Sequence, residues 1–224
     1  MQIIRKSECM NPVLIRRRIV AAIMYLPRER NRQKLRKRLK NKAPTIIASD
    51  CVGGIIYHDL GLRFTSPMIN LWMKKEDFIV LVRDLEEYLN EELIEELGEN
   101  VDYPVGSLNH NQKKIYVYFM HYDTFEQARE KWEERKKRVD FNNIYIIQNL
   151  VHATDEDVVC FDSLPYKNKM LISSQNSTGS ENVSICPLYI RGDVHASNIL
   201  SYRSRFSSKR WLEDVDYVNF LNRT

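Results

Sequence analysis

Residues 45–73, TIIASDCVGGIIYHDLGLRFTSPMINLWM, constrain the fold more than any other stretch. Thr45 to Ala48 is a short apolar run with the length of a buried strand. Ser49-Asp50-Cys51 and the Gly53-Gly54 pair follow at once, then Tyr57, His58 and Asp59. The Ser66-Pro67 turn leads into a second apolar run, Met68 to Met73, which also reads as a strand. Polar residues and paired glycines just past the C-terminal end of a buried strand are where open α/β sheets hold ligands.

The rest of the chain alternates two periodicities. Phe78, Leu81, Val82, Leu85, Leu89, Leu93 and Leu97 recur at helical spacing and predict one long helix over Lys75–Leu97, with its acids on the other faces. Tyr103 to Gly106 reads as a turn, and residues 114–120, KIYVYFM, as a strand with His121 at its C-terminal end. Thr124 with Gln127 forms a capping-box pattern for a helix to about Val139, its buried stripe running through Phe125, Ala128 and Trp132. A strand over 143–149, a short helix from Thr154 toward Phe161 and a strand over 169–173 follow. The polar loop 173–182 has the composition of a lid, Val183 to Ile190 reads as a last strand, and the tail from Ser208 as a docking helix. This alternation predicts a mainly parallel sheet covered on both faces, in one α/β domain over residues 43–224.

Residues 1–42 stand apart electrostatically. They carry 14 Lys and Arg against 2 Glu, whereas residues 43–224 carry 20 against 28 Asp and Glu, so the overall +4 conceals +12 and −8. Residues 12–26 are apolar around an arginine triplet, and residues 28–42 are almost wholly basic, with Leu35 and Leu39 four apart. One or two helices are expected here, either packed on the domain or lying against an anionic membrane surface. Nucleic acid is not expected as a partner, because no aromatic side chains interleave with the basic ones. Four scattered cysteines without a CxxC pair suggest reduced thiols, and no run approaches the roughly 20 apolar residues of a membrane span. No signal peptide is read, since Arg16-Arg17-Arg18 interrupts the one candidate run. The expected location is cytoplasmic, at the inner face of the membrane if the basic arm docks there.

Ser49, Asp50, Cys51, Gly53 and Gly54 are candidates for binding a phosphate with backbone N–H groups at a helix start; the glycines serve equally well in a tight packed turn. No Walker A or GxGxxG pattern is present. His58 and Asp59 are candidates for a general base or a sugar-hydroxyl contact, as is His121. Each is also an ordinary structural residue in many folds. Asp155-Glu156-Asp157 has the Asp-x-Asp form that some glycosyltransferases use for a metal–diphosphate, but acids after Thr154 also suit a helix N-terminus. Lys167 is a further candidate anion contact. No metal site is predicted, and Cys51 reads as a structural thiol sooner than a nucleophile.

The segments TIIASDCVGGIIYHDLGLRFTSPMINLW, YPVG, FMHYDTFEQAREKWEERKKRV and LPYKNKMLI occur in this order. Together they resemble the bacterial family of unknown function labelled exopolysaccharide or capsular polysaccharide biosynthesis protein, over roughly residues 35–173. The resemblance implies a Rossmann-like three-layer α/β/α domain and a role in building a surface glycan. It also implies a transferase: a glycosyltransferase using a nucleotide-sugar, or an acyltransferase acting on the same glycan, with a non-catalytic assembly protein as the third reading. The partners expected are a nucleotide-sugar or acyl donor and a glycan acceptor. No resident cofactor is expected, and a divalent cation would arrive with the nucleotide-sugar. Family forms carry Asn at the position of Asp50, so the acid there departs from the common pattern.

Overall fold

The computed structural model describes residues 12–97, 101–192 and 194–223. In chain order these form α1 (Pro12–Arg38), β1 (Thr45–Ala48), α2 (Val52–Leu60), α3 (Lys75–Arg83), α4 (Leu85–Asn90), β2 (Ile94–Glu96), β3 (Val105–His110) and β4 (Lys113–Tyr118). Then come α5 (Phe125–Lys136), β5 (Ile144–Asn149), α6 (Asp155–Asp162), β6 (Lys169–Ser173), β7 (Val183–Ile185) and α7 (Tyr217–Leu221), with three short 3-10 turns before α7.

β1, β5, β6 and β7 pair in that order, every pair parallel. β1, β5 and β6 are buried along nearly their whole length because helices cover both faces. Side chains alternate across the strands. Ile47, Ile144, Ile146 and Leu171 face one layer, built from α3, α5 and α6 around Phe78, Leu81, Trp132, Val158 and Phe161. Ile46, Ala48, Tyr145, Ile147, Met170 and Ile172 face the other, built from α1, α2 and the C-terminal segment around Leu35, Leu39, Ile56, Tyr57 and Phe220. The molecule is therefore a Rossmann-like three-layer α/β/α structure.

The two layers decide where the sheet opens. From the end of β1 the chain turns into α2 on one face, and from the end of the neighbouring β5 it turns into α6 on the other. Two adjacent parallel strands whose exits part to opposite faces leave a crevice between them at their carboxyl ends. Gly53 lets α2 sit close to β1: a Cβ there would lie 3.0 Å from Ala48 Cβ.

The middle of the chain departs from the sequence expectation. The helix expected over Lys75–Leu97 breaks at Asp84 (φ −123°, ψ 50°), resumes as α4 and ends at Asn90, and Ile94–Glu96 is strand β2 instead. Pairing with β3 overrides the helical spacing: Leu93 is buried beneath Gly106, where a Cβ would come within 2.8 Å of Leu93 Cδ1, while Leu97 is 86% exposed. The turn expected at Tyr103–Gly106 is in fact the entry to β3. The strand KIYVYFM is present as β4 but belongs to a second, antiparallel sheet, β2-β3-β4, joined to β3 by a hairpin through Asn111 and Gln112 at positive φ. Met68 to Met73 is not a strand. Asn70 adopts φ 62°, and the buried segment plugs the gap between the sheets, holding Tyr118 through Trp72 and Ser49 through the Met73 N–H. The last strand stops at Ile185, and the tail is a 3-10 turn over Trp211–Val215 broken from α7 by Asp216 at φ 37°.

Candidate functional site in the β1–β5 crevice

The crevice is lined by the residues that immediately follow the two strands. Ser49 continues the β1 ladder, its N–H donating to Ile147 O (3.0 Å), and its Oγ accepts the Asn149 N–H (3.1 Å). Asp50 turns its carboxylate back toward the start of α2. Oδ1 accepts the Val52 N–H (2.9 Å) and Oδ2 accepts Asn149 Nδ2 (2.7 Å). Asn149 is held in turn by Tyr189, whose Oη lies 2.6 Å from Asn149 Oδ1 and 2.9 Å from Ala196 O. Ser49, Asn149 and Tyr189 are all buried.

Both of these donors to Asp50 are neutral. His195, at the start of the 3-10 turn Ala196–Leu200, acts on it through space. Burial therefore pushes the Asp50 carboxyl above the usual range, opposed by Asn149, the Val52 N–H and His195. Burial and then the neighbouring Asp50 push the Cys51 thiol up to about 11, so it is neutral near pH 7 and a poor nucleophile. Its sulfur rests 3.9 Å from both Leu71 O and Met120 Sδ.

Ser49, Asp50, Cys51, Gly53 and Gly54 thus share one edge of the sheet, and the exposed His121 follows Met120 beside Cys51. The N-terminus of α2 receives the chain's own carboxylate, and the two glycines differ in task. A Cβ on Gly53 would press on β1, whereas one on Gly54 would meet Ile69 and Asn70 at ordinary contact distances of 3.7 and 3.9 Å. His58 and Asp59 lie at the other end of α2, about 10 Å along the helix axis from Cys51. There His58 is exposed and pairs with Asp59 (3.1 Å), and the buried Asp59 binds Arg210 Nε (2.8 Å). Lys167 sits in the loop between α6 and β6, which also belongs to that opposite edge. The structure does not bring these three to the crevice.

Gln148 and Asn149, adjacent on β5, point to opposite faces. Asn149 meets Asp50, while Gln148 lines a cavity of about 500 Å³ between α3 and α6, together with Lys75, Arg83, Thr154, Asp157 and Cys160. Thr154 and Asp157 form a reciprocal capping box, and Asp157 also binds Lys75 Nζ (2.8 Å). The Asp155–Asp157 acids therefore cap α6, as the helix-start reading expects. No group of three or more His, Cys, Asp or Glu among the described residues is arranged to hold a metal ion.

Asn149, Tyr189 and His195 were not singled out from sequence. Asn149 carried a usable signal, since Gln148-Asn149 ends a buried apolar run as Ser49-Asp50 does. Tyr189 and His195 lie in irregular chain with no periodicity to read.

Residues 23–222 match the family described as Domain of unknown function (DUF1919). An uncharacterized protein of Haemophilus influenzae is 31% identical over 192 residues, spanning 84% of this chain and 88% of the relative. The chain belongs to the DUF1919 family.

Proposed function

We propose that this DUF1919 protein is a transferase of surface-polysaccharide biosynthesis that moves a glycosyl group from a nucleotide-sugar to a glycan hydroxyl, with Asp50 as the general base. The observation that carries the reading is the Asp50 carboxylate, half-buried at the β1–β5 crevice and held there by two neutral donors. Raised proton affinity suits a carboxylate that must take a hydroxyl proton in the transition state. In the proposed step the acceptor oxygen attacks the anomeric carbon, its proton passes to Asp50, and the nucleoside diphosphate leaves with the electron pair of the broken bond. The Val52 N–H and the Asn149 amide fix the carboxylate's position.

The test is a panel of nucleotide-sugars and acetyl-coenzyme A, each with and without Mg²⁺ or Mn²⁺, read first as thermal stabilisation and then as transfer. One nucleotide-sugar is expected to stabilise the wild type and the Asp50→Asn variant alike, with transfer by the variant reduced by about 10²–10⁴-fold. Full transfer by the variant would remove Asp50 from the chemistry. Stabilisation by acetyl-coenzyme A alone would replace glycosyl with acyl transfer.

A further inference from the structure

The solvent face of α1 changes character along its length. Its inner face runs through Val20, Met24, Leu35 and Leu39, and Arg28, Asn31, Arg36 and Arg38 fasten it to the body. The opposite face, at spacings of three and four, presents Ile19, Ile23 and Leu26 and then Arg30, Lys34 and Lys37. Ile19 is 54% exposed, and Ile23 and Leu26 are each 61% exposed. Arg16 and Arg18 are exposed before the apolar stretch, and Glu29, the sole acid between residues 12 and 42, is occupied by Arg32 and Arg36.

We infer that this face docks the protein on an anionic lipid bilayer, with Ile19, Ile23 and Leu26 entering the headgroup–acyl boundary and Arg30, Lys34 and Lys37 meeting lipid phosphates. Charge selects the occupant. A second copy laid on the same stripe would bring Arg16, Arg30 and Lys37 against like charges, with only three apolar positions to offset them. A nucleic acid would use the cations and leave the apolar half bare. An anionic bilayer satisfies both halves. The helix lies along the surface and does not cross it: among the described residues no helix is long and apolar enough to span a membrane.

The experiment is co-sedimentation of the full chain with vesicles of phosphatidylcholine alone or mixed equally with phosphatidylglycerol. Binding is expected only to the anionic vesicles, and raised salt should weaken it. The variant Arg30→Gln/Lys34→Gln/Lys37→Gln should lose roughly a hundredfold in partitioning. The variant Ile19→Ser/Ile23→Ser/Leu26→Ser should also lose binding, with the melting temperature unchanged because all six positions are exposed. Absence of anionic-vesicle binding would overturn the inference. So would a self-association removed by the serine variant, or duplex DNA binding in place of vesicle binding.

Discussion

Asp50 and Asp59 bracket the same helix, nine residues apart, and the fold treats them oppositely. Asp59 is 3% exposed, yet its charge is answered by Arg210 at 2.8 Å and by His58 at 3.1 Å. Asp50 is met by an amide and a backbone N–H, with His195 acting only through its field. Burial penalises a carboxylate's charge in both places, and only a cation offsets most of that penalty. Asp59 is thereby a rivet between α2 and the C-terminal segment. Asp50 keeps a proton affinity that chemistry can use. Acids close in sequence are no guide to role until their partners are known.

The largest expected effect comes from removing the cation. Arg210→Met should destabilise the protein by about 3–5 kcal/mol in urea unfolding, because Asp59 is left buried with only the exposed His58 beside it. A loss below about 1 kcal/mol would mean that water reaches Asp59, and the contrast with Asp50 would fail. Gly53→Val should cost about 1–3 kcal/mol, since its side chain must push α2 off Ala48 and Ile46. Tyr189→Phe should cost about 1–2 kcal/mol by removing the hydroxyl that holds Asn149, and it should slow transfer by loosening the Asp50 carboxylate. Unchanged transfer with reduced stability would restrict Tyr189 to folding. The smallest effect is Gly54→Ala, expected to be neutral or to stabilise by up to about 1 kcal/mol through helix propensity. A large loss there with no loss of ligand binding would show packing that the 3.7 Å contact does not suggest.

The parallel sheet was legible because β1, β5 and β6 are unbroken apolar runs buried on both faces, and each ends in polar residues. Thr154 and its acids were legible because capping is local. The second sheet was not. The spacing of Leu85, Leu89 and Leu93 satisfies a helix, and the pairing that overrides it depends on Gly106, more than ten residues on. Asn111-Gln112 also lacks the Asn-Gly signal of a tight hairpin. At the site, the sequence placed Asp50 near the end of β1 but said nothing of its partners. Asn149 reaches it across about 100 residues of chain, and Tyr189 holds Asn149 from 40 residues further on. His58 and Asp59 were grouped with it because they are near in sequence, and the length of α2 sets them at the far edge.

The most direct measurement is the unfolding free energy of wild type and Asp50→Asn as a function of pH. A carboxyl whose folded-state affinity for its proton is raised contributes stability at low pH that is lost as pH rises through its folded-state value. The Asn variant, which carries no charge to bury, should therefore gain on wild type as pH rises to 7, an advantage set against a pH-independent cost because its NH2 must face one of the two donors that Asp50 accepts from. That advantage should close as pH falls toward the ordinary carboxylate range near about 4. A variant less stable than wild type near pH 7, with the deficit shrinking on acidification, would mean that Asp50 is stabilised as an anion, and the contrast with Asp59 would be wrong.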